Sequence, residues 1–254
     1  MGGQRTRKGC GALFDCLARV FDVGDFQALS VGYYQGGALP ERFRVRVMRC
    51  SNAEAGADQA RYDPTRAGDA AARAALITKA DLHLRPSWSW SGFVEGQSAA
   101  AHQGCAAFHP RASDLVLTGD VAAVYTRSGF QFVTQVQVYQ SAEMLAIEWR
   151  RSVQSAGALE CQRSAAMKAA SASARLVSVG RLRFRRVTTR TTAYRAIYDT
   201  IGKAGRTRRV LDFVFLGRGT TEISLTASWP LASTAYGDAA EAHLARVLAS
   251  RIRN

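Results

Sequence analysis

Two cysteines, three aromatic residues and a row of arginines are the residues of this 254-residue chain whose types and spacing invite chemistry. The cysteines Cys10, Cys16, Cys50, Cys105 and Cys161 include no Cys-x-x-Cys pair and no zinc-finger spacing. Cys105 and Cys161 alone fall in the well-patterned part of the chain. Paired as a disulfide, they would tie the loop before a hairpin to the central helical region. On the chain-entropy argument, closing that loop of about 56 residues is worth roughly 4 kcal/mol. Two free buried thiols are one alternative. A metal held by His102, Cys105 and His109 is the other, and it lacks the further ligands a zinc site needs. Trp88, Trp90 and Phe93 sit in the stretch Leu84 to Phe93, which reads as a loop. There they either line a ligand groove as an apolar lip or fold back onto their own core. Arg181, Arg183 and Arg185 share one face of a strand, because strand side chains alternate with period two. Their guanidinium forks suit phosphate and carboxylate, and Arg186, Arg206, Arg208 and Arg209 extend the field. The competing reading is a solvated, aggregation-resistant edge. Nucleic acid would want interleaved aromatics for stacking, and only Phe184 lies nearby, on the opposite face.

Catalytic constellations are thin. No Gly-x-Ser-x-Gly elbow occurs, and His83, His102, His109 and His243 lack convincing partners. Asp199, Asp212 and Glu222 lie on separate strands and would have to meet across them to form an acid/base pair; neighbouring arginines favour ion pairing instead. No cofactor-binding motif is present, so the expectation is a non-enzymatic protein without a cofactor.

The 34 basic residues against 20 acidic ones give a formal charge of +14. That excess favours anionic partners, although the abundance of Arg, Ala and Gly is also what a GC-rich genome writes. No run approaches the roughly 20 apolar residues of a membrane-crossing helix.

Residues Met1 to Gly68 lack sustained periodicity and are expected to be an irregular segment or linker ahead of a domain spanning 69–254. Asp15 and Arg19 interrupt the apolar stretch that a secretory signal would require. Met48-Arg49-Cys50 is a poor lipidation site, because Arg49 stands where small residues belong. The expectation for the residues before about Cys50 is translation from a wrong start or frame, with the true start elsewhere. Phe43, Val45 and Val47 alternate with arginines as in a short strand.

Within 69–254, Asp69 is expected to cap a helix through Ala80. Leu115–Thr118 and Ala122–Tyr125 read as strand, with a bulge near Gly119. After the turn Arg127-Ser128-Gly129, alternation from Phe130 to Val138 predicts the second arm of a hairpin. Ser141 caps a helix carrying Leu145, Glu148 and Trp149, and a further helical stretch follows near Cys161 to Ser173. Strands are predicted from Val177 to Phe184, around Tyr194–Tyr198, over Val210–Phe215 and over Thr221–Ala227. Asp238 and Glu241 form a capping box for a last helix whose buried stripe is Leu244, Val247, Leu248 and Ile252. Without βαβ alternation, the fold class is α+β: one domain in which an antiparallel sheet is packed with helices.

The run Ala75–Leu82, the residues Trp88, Trp90, Cys105, Phe108 and Pro110, and the segment Ser113–Asp120 resemble actinobacterial cell-envelope proteins with a PsbP-like fold. The likeness continues along Val133–Tyr139, Ala146, Trp149, Cys161 and the closing hairpins. It implies an extracytoplasmic lipoprotein or sensor-like domain that binds an unknown small-molecule or protein ligand at the envelope, with an anionic surface as a further partner. The disulfide agrees with that compartment, since such bridges persist outside the reducing cytosol. The alternative is a cytoplasmic protein that binds nucleic acid or another polyanion through its arginine-rich half.

Overall fold

The computed structural model describes residues 60–82, 90–96, 111–127, 129–160, 163, 174–202 and 205–252. They belong to one compact unit beginning at Asp58. Cys105, Cys161, Trp88, His102, His109 and the segment before residue 58 lie outside the described residues, with every expectation placed on them.

The elements are β1 (Arg61–Tyr62), α1 (Arg66–Ala75), β2 (Ser91–Gly96), β3 (Val116–Arg127), β4 (Phe130–Tyr139), α2 (Ala142–Glu148), β5 (Ala174–Arg181), β6 (Arg190–Gly202), β7 (Gly205–Arg218), β8 (Thr221–Pro230) and α3 (Thr234–Arg251). Eight strands form one sheet in the order β1-β3-β4-β8-β7-β6-β5, with β2 also paired to β3. Every pairing is antiparallel except β1 with β3. The class is α+β, as the sequence pattern predicts.

Alternation decides which side chains reach each face. On β7, Val210, Val214 and Leu216 join Ile223, Leu225, Ala227 and Trp229 of β8 in the main core. Helices α1 and α3 cover this first face. Gly237 lets α3 approach so closely that a Cβ there would lie 2.3 Å from the Trp229 indole. On the second face, Phe213, Phe215 and Tyr194 pack under Trp149, Val153 and Ala158. These come from a π-helical turn, Trp149–Val153, and the helical residues 156–160. Ser141 caps α2 as expected, accepting from the Met144 amide at 3.2 Å. The bulge near Gly119 is present, as a register shift between Leu117 and Gly119.

Several local expectations need correction. The first helix is capped by Thr65, whose Oγ1 accepts from Gly68 N at 2.9 Å, and it ends at Ala75, before a 3-10 turn at Lys79–Leu82. Asp69 lies in its first turn, where a carboxylate suits the positive helix end, and it accepts a bond from the Tyr62 hydroxyl at 3.2 Å. Asp238 and Glu241 are not a capping box, because α3 begins at Thr234 and both carboxylates make tertiary contacts instead. Residues 91–96, expected within or beside a loop, form β2 along β3. Arg61–Tyr62 enters the sheet ahead of the boundary expected at Asp69.

Candidate functional site

The two sheet faces differ. The first carries the main apolar core, with the buried Asp212 and Glu241 set into it. The second is covered over β6 and β7 and only half-buried over β3, β4 and β8. Register places the side chains of this uncovered part in cross-strand rows: Asp120–Gln137–Glu222, Ala122–Gln135–Ser224, Val124–Val133–Thr226 and Thr126–Gln131–Ser228. Val124, Val133, Gln131, Gln135, Ser224 and Thr226 are all half-buried. The result is a floor of amides and hydroxyls around a small apolar patch, on the central strands of the sheet.

Both ends of this floor are closed. At one end Arg209 is buried, at 4% exposure, and donates to the Gly129 carbonyl at 2.7 Å and to Ser228 Oγ at 3.2 Å. At the other end the chain descends through α2 onto the first row. There Gly217 continues the row from Glu222, and a Cβ in its place would lie 3.2 Å from the Trp149 ring. The tryptophan therefore rests on backbone, and the Tyr194 hydroxyl ties the same turn to the sheet by donating to the Val153 carbonyl at 2.7 Å.

This closed end collects acidic groups. Glu148 of α2, Glu222 of β8 and Asp120 of β3 are all buried, together with Tyr139. Asp120 accepts from Gln135 Nε2 at 3.1 Å. Burial, and then the nearby Glu148 charge, push Glu222 up to about 8, so it carries a proton at neutral pH. Burial, followed by the charge of Glu222, holds the Tyr139 phenol well above its ordinary range. Among the described residues, the Tyr139 hydroxyl, the Trp149 indole N–H and one Glu222 oxygen have no hydrogen-bond partner. The site therefore sets the Tyr139 and Trp149 donors and a protonated Glu222 beside two further carboxyl groups, Glu148 and Asp120. No group of three His, Cys, Asp or Glu among the described residues could hold a metal ion.

The carboxylates read from the sequence do not meet. Asp199 is held by Arg206 and by Arg208, whose Nε lies 2.8 Å from Oδ1, and these arginines pull it down to about 2. Asp212 is buried on the first face and accepts from Arg195 Nε at 2.8 Å, while Arg195 also reaches Asp238 at 2.6 Å. Glu241 on α3 hydrogen-bonds to Asp212; burial first, and that neighbouring charge second, raise it to about 9. Its proton bridges two carboxyls beneath a structural ion pair. Glu222 stands on the other face.

Trp90 is buried at 2% exposure; its indole donates to the Leu82 carbonyl at 3.0 Å and its ring lies 5.5 Å from Phe132. It fills the first-face core and forms no exposed lip. Phe93 stands opposite Val124 on the β2 edge. Arg181, Arg183 and Arg185 are exposed while Leu182 and Phe184 between them pack on the core, but Arg183 and Arg185 lie beyond the strand, which was expected to run through Phe184. The ladder ends at Arg181, whose guanidinium lies 6.0 Å over the Tyr194 ring. The acidic end was missed from sequence, although the spacing Leu145, Glu148, Trp149 already set Glu148 on the buried side of α2.

No protein family and no curated protein matches this chain. Among solved structures, it is similar to the extracellular domain of PknH from Mycobacterium tuberculosis, with a TM-score of 0.40, 9% identity, and 73% of this chain and 97% of that one covered. It is also similar to an uncharacterised protein from Mycobacterium smegmatis, with a TM-score of 0.35, 10% identity, and coverage of 65% and 91%. Neither likeness is close enough to transfer a property to this chain.

Proposed function

We propose that this protein is a non-enzymatic, extracytoplasmic binding or sensor-like domain that receives its ligand on the half-buried floor of the second sheet face. The observation that carries the reading is the contrast between the faces. An antiparallel sheet can leave one face to water, and here β4 and β8 keep a row of amides and hydroxyls within reach of solvent on the face opposite the core. Such a floor binds by hydrogen bonding and shape, and it carries no paired nucleophile and base. Resemblance of the sequence to envelope proteins, and the placement of Cys105 and Cys161, support the compartment.

The alternative, a cytoplasmic polyanion binder, is favoured by one feature, the exposed row Arg181, Arg183 and Arg185. A membrane-impermeant amine reagent applied to intact host cells, followed by non-reducing peptide mapping, separates the two readings. Labelling without lysis and a linked Cys105–Cys161 peptide are expected. Labelling only after lysis, with both thiols free, would overturn the extracytoplasmic reading.

A further inference from the structure

Three large hydrophobic residues are exposed among the described residues: Ile201 at 62%, Val177 at 46% and Leu231 at 36%. All three lie at one end of the sheet. Ile201 is near the β6–β7 hairpin tip and pairs with Arg206. Val177 occupies the bulge between Leu176 and Ser178, which turns it out of the ladder. Leu231 follows Pro230, which pairs with Arg209, and so sits beside β7.

Arginines surround them. Asp199 pairs across β5 with Arg175 and across β7 with Arg208. The Asp199 side chain is only 3% exposed, whereas Arg206 and Arg208 above it are 59% and 47% exposed. The carboxylate is an anchor that orients two guanidinium groups outward. Among the described residues of this corner, Arg175, Arg206 and Arg208 against Asp199 leave two net positive charges. A Cβ built on Gly205, at the start of β7 and with φ +98°, meets nothing within 4 Å.

We propose that this end of the sheet docks on an anionic lipid surface. Exposed aliphatic side chains beside oriented arginines are what the boundary between headgroups and acyl chains accepts, with the apolar groups entering and the guanidinium groups held among phosphates. Three aliphatic side chains anchor weakly, so attachment depends on anionic lipid and reverses with salt. The inference is independent of the ligand floor, which occupies the middle of the other face.

Sedimentation of the full chain with vesicles tests it, using phosphatidylcholine alone and phosphatidylcholine mixed with phosphatidylglycerol. Binding to the mixed vesicles alone is expected, with release at high salt and none by inorganic phosphate at the concentration of the lipid phosphate. Ile201→Ser and Arg206→Gln should each lower the vesicle affinity roughly fivefold, with Tm unchanged in Ile201→Ser. Arg246→Gln, an exposed change on α3, should leave it as it was. Failure to bind the mixed vesicles would overturn the proposal. So would binding that survives Ile201→Ser and Arg206→Gln together, or that is lost instead on changing Arg183 and Arg185.

Discussion

Glu222 and Glu241 keep protons that ordinary glutamates lose near 4.5, because burial penalises their charged forms. The folded chain therefore holds protons that the unfolded chain has already released. Stability from these groups is complete below 4.5 and is lost as pH rises through about 8 for Glu222 and about 9 for Glu241. Asp199 acts in the opposite sense: its arginine partners stabilise the charged form, and that contribution fades as pH falls below 3.8 through about 2. Urea unfolding between pH 5 and pH 9.5 should show the alkaline loss, with a slope of at most about 1.4 kcal/mol per pH unit for each proton. Glu222→Gln should flatten the part of that slope that ends near 8 and leave the part ending near 9. Glu241→Gln should do the reverse, because an amide can still donate to Asp212. A variant whose pH profile superimposes on wild type would show that its glutamate is already ionised in the folded chain.

At the scale of elements, Gly237 sets how closely α3 lies on the sheet. Alanine ordinarily favours a helix over glycine by about 1 kcal/mol. Here its Cβ would stand 2.3 Å from the Trp229 indole, which is fully buried, and overpacking typically costs about 1–3 kcal/mol. Gly237→Ala should therefore lower the urea midpoint with little change in slope; an unchanged or higher midpoint would mean that α3 can lift without loss. Strands β3, β4 and β8 were legible in the sequence because each alternates between a buried and a half-polar face, and β7 because its apolar run, buried on both faces, is bounded by turn residues. β1 and β2 were not. Two residues carry no period, and Ser91-Gly92-Phe93-Val94-Glu95-Gly96 has a glycine at either side of its apolar pair. Both helix starts were misread for one reason: Asp69, Asp238 and Glu241 fit local capping patterns, yet their side chains are engaged by Tyr62, Arg195 and Asp212. Tertiary partners outcompete a local cap when they satisfy the same oxygen.

Across the whole molecule, the basic excess is not uniform in kind. Arg195, Arg206, Arg208 and Arg251 are tied to buried or half-buried carboxylates, so much of the arginine content is architecture. The site was legible only in part: the alternation Gln131, Gln135, Gln137 was visible as a half-buried strand, but its neighbours Ser224 and Thr226 are brought there by sheet order, which no local pattern encodes. Trp90 was drawn to the lip reading by its aromatic neighbours, whereas its indole has a core partner eight residues away. The most direct test of the ligand floor places a photoreactive phenylalanine analogue at Thr226, and separately at Arg246, in the full chain produced in its native host. Irradiation should give adducts from the Thr226 position and none from Arg246. Adducts from Arg246 alone, or none from either position, would contradict the assignment of binding to the second face.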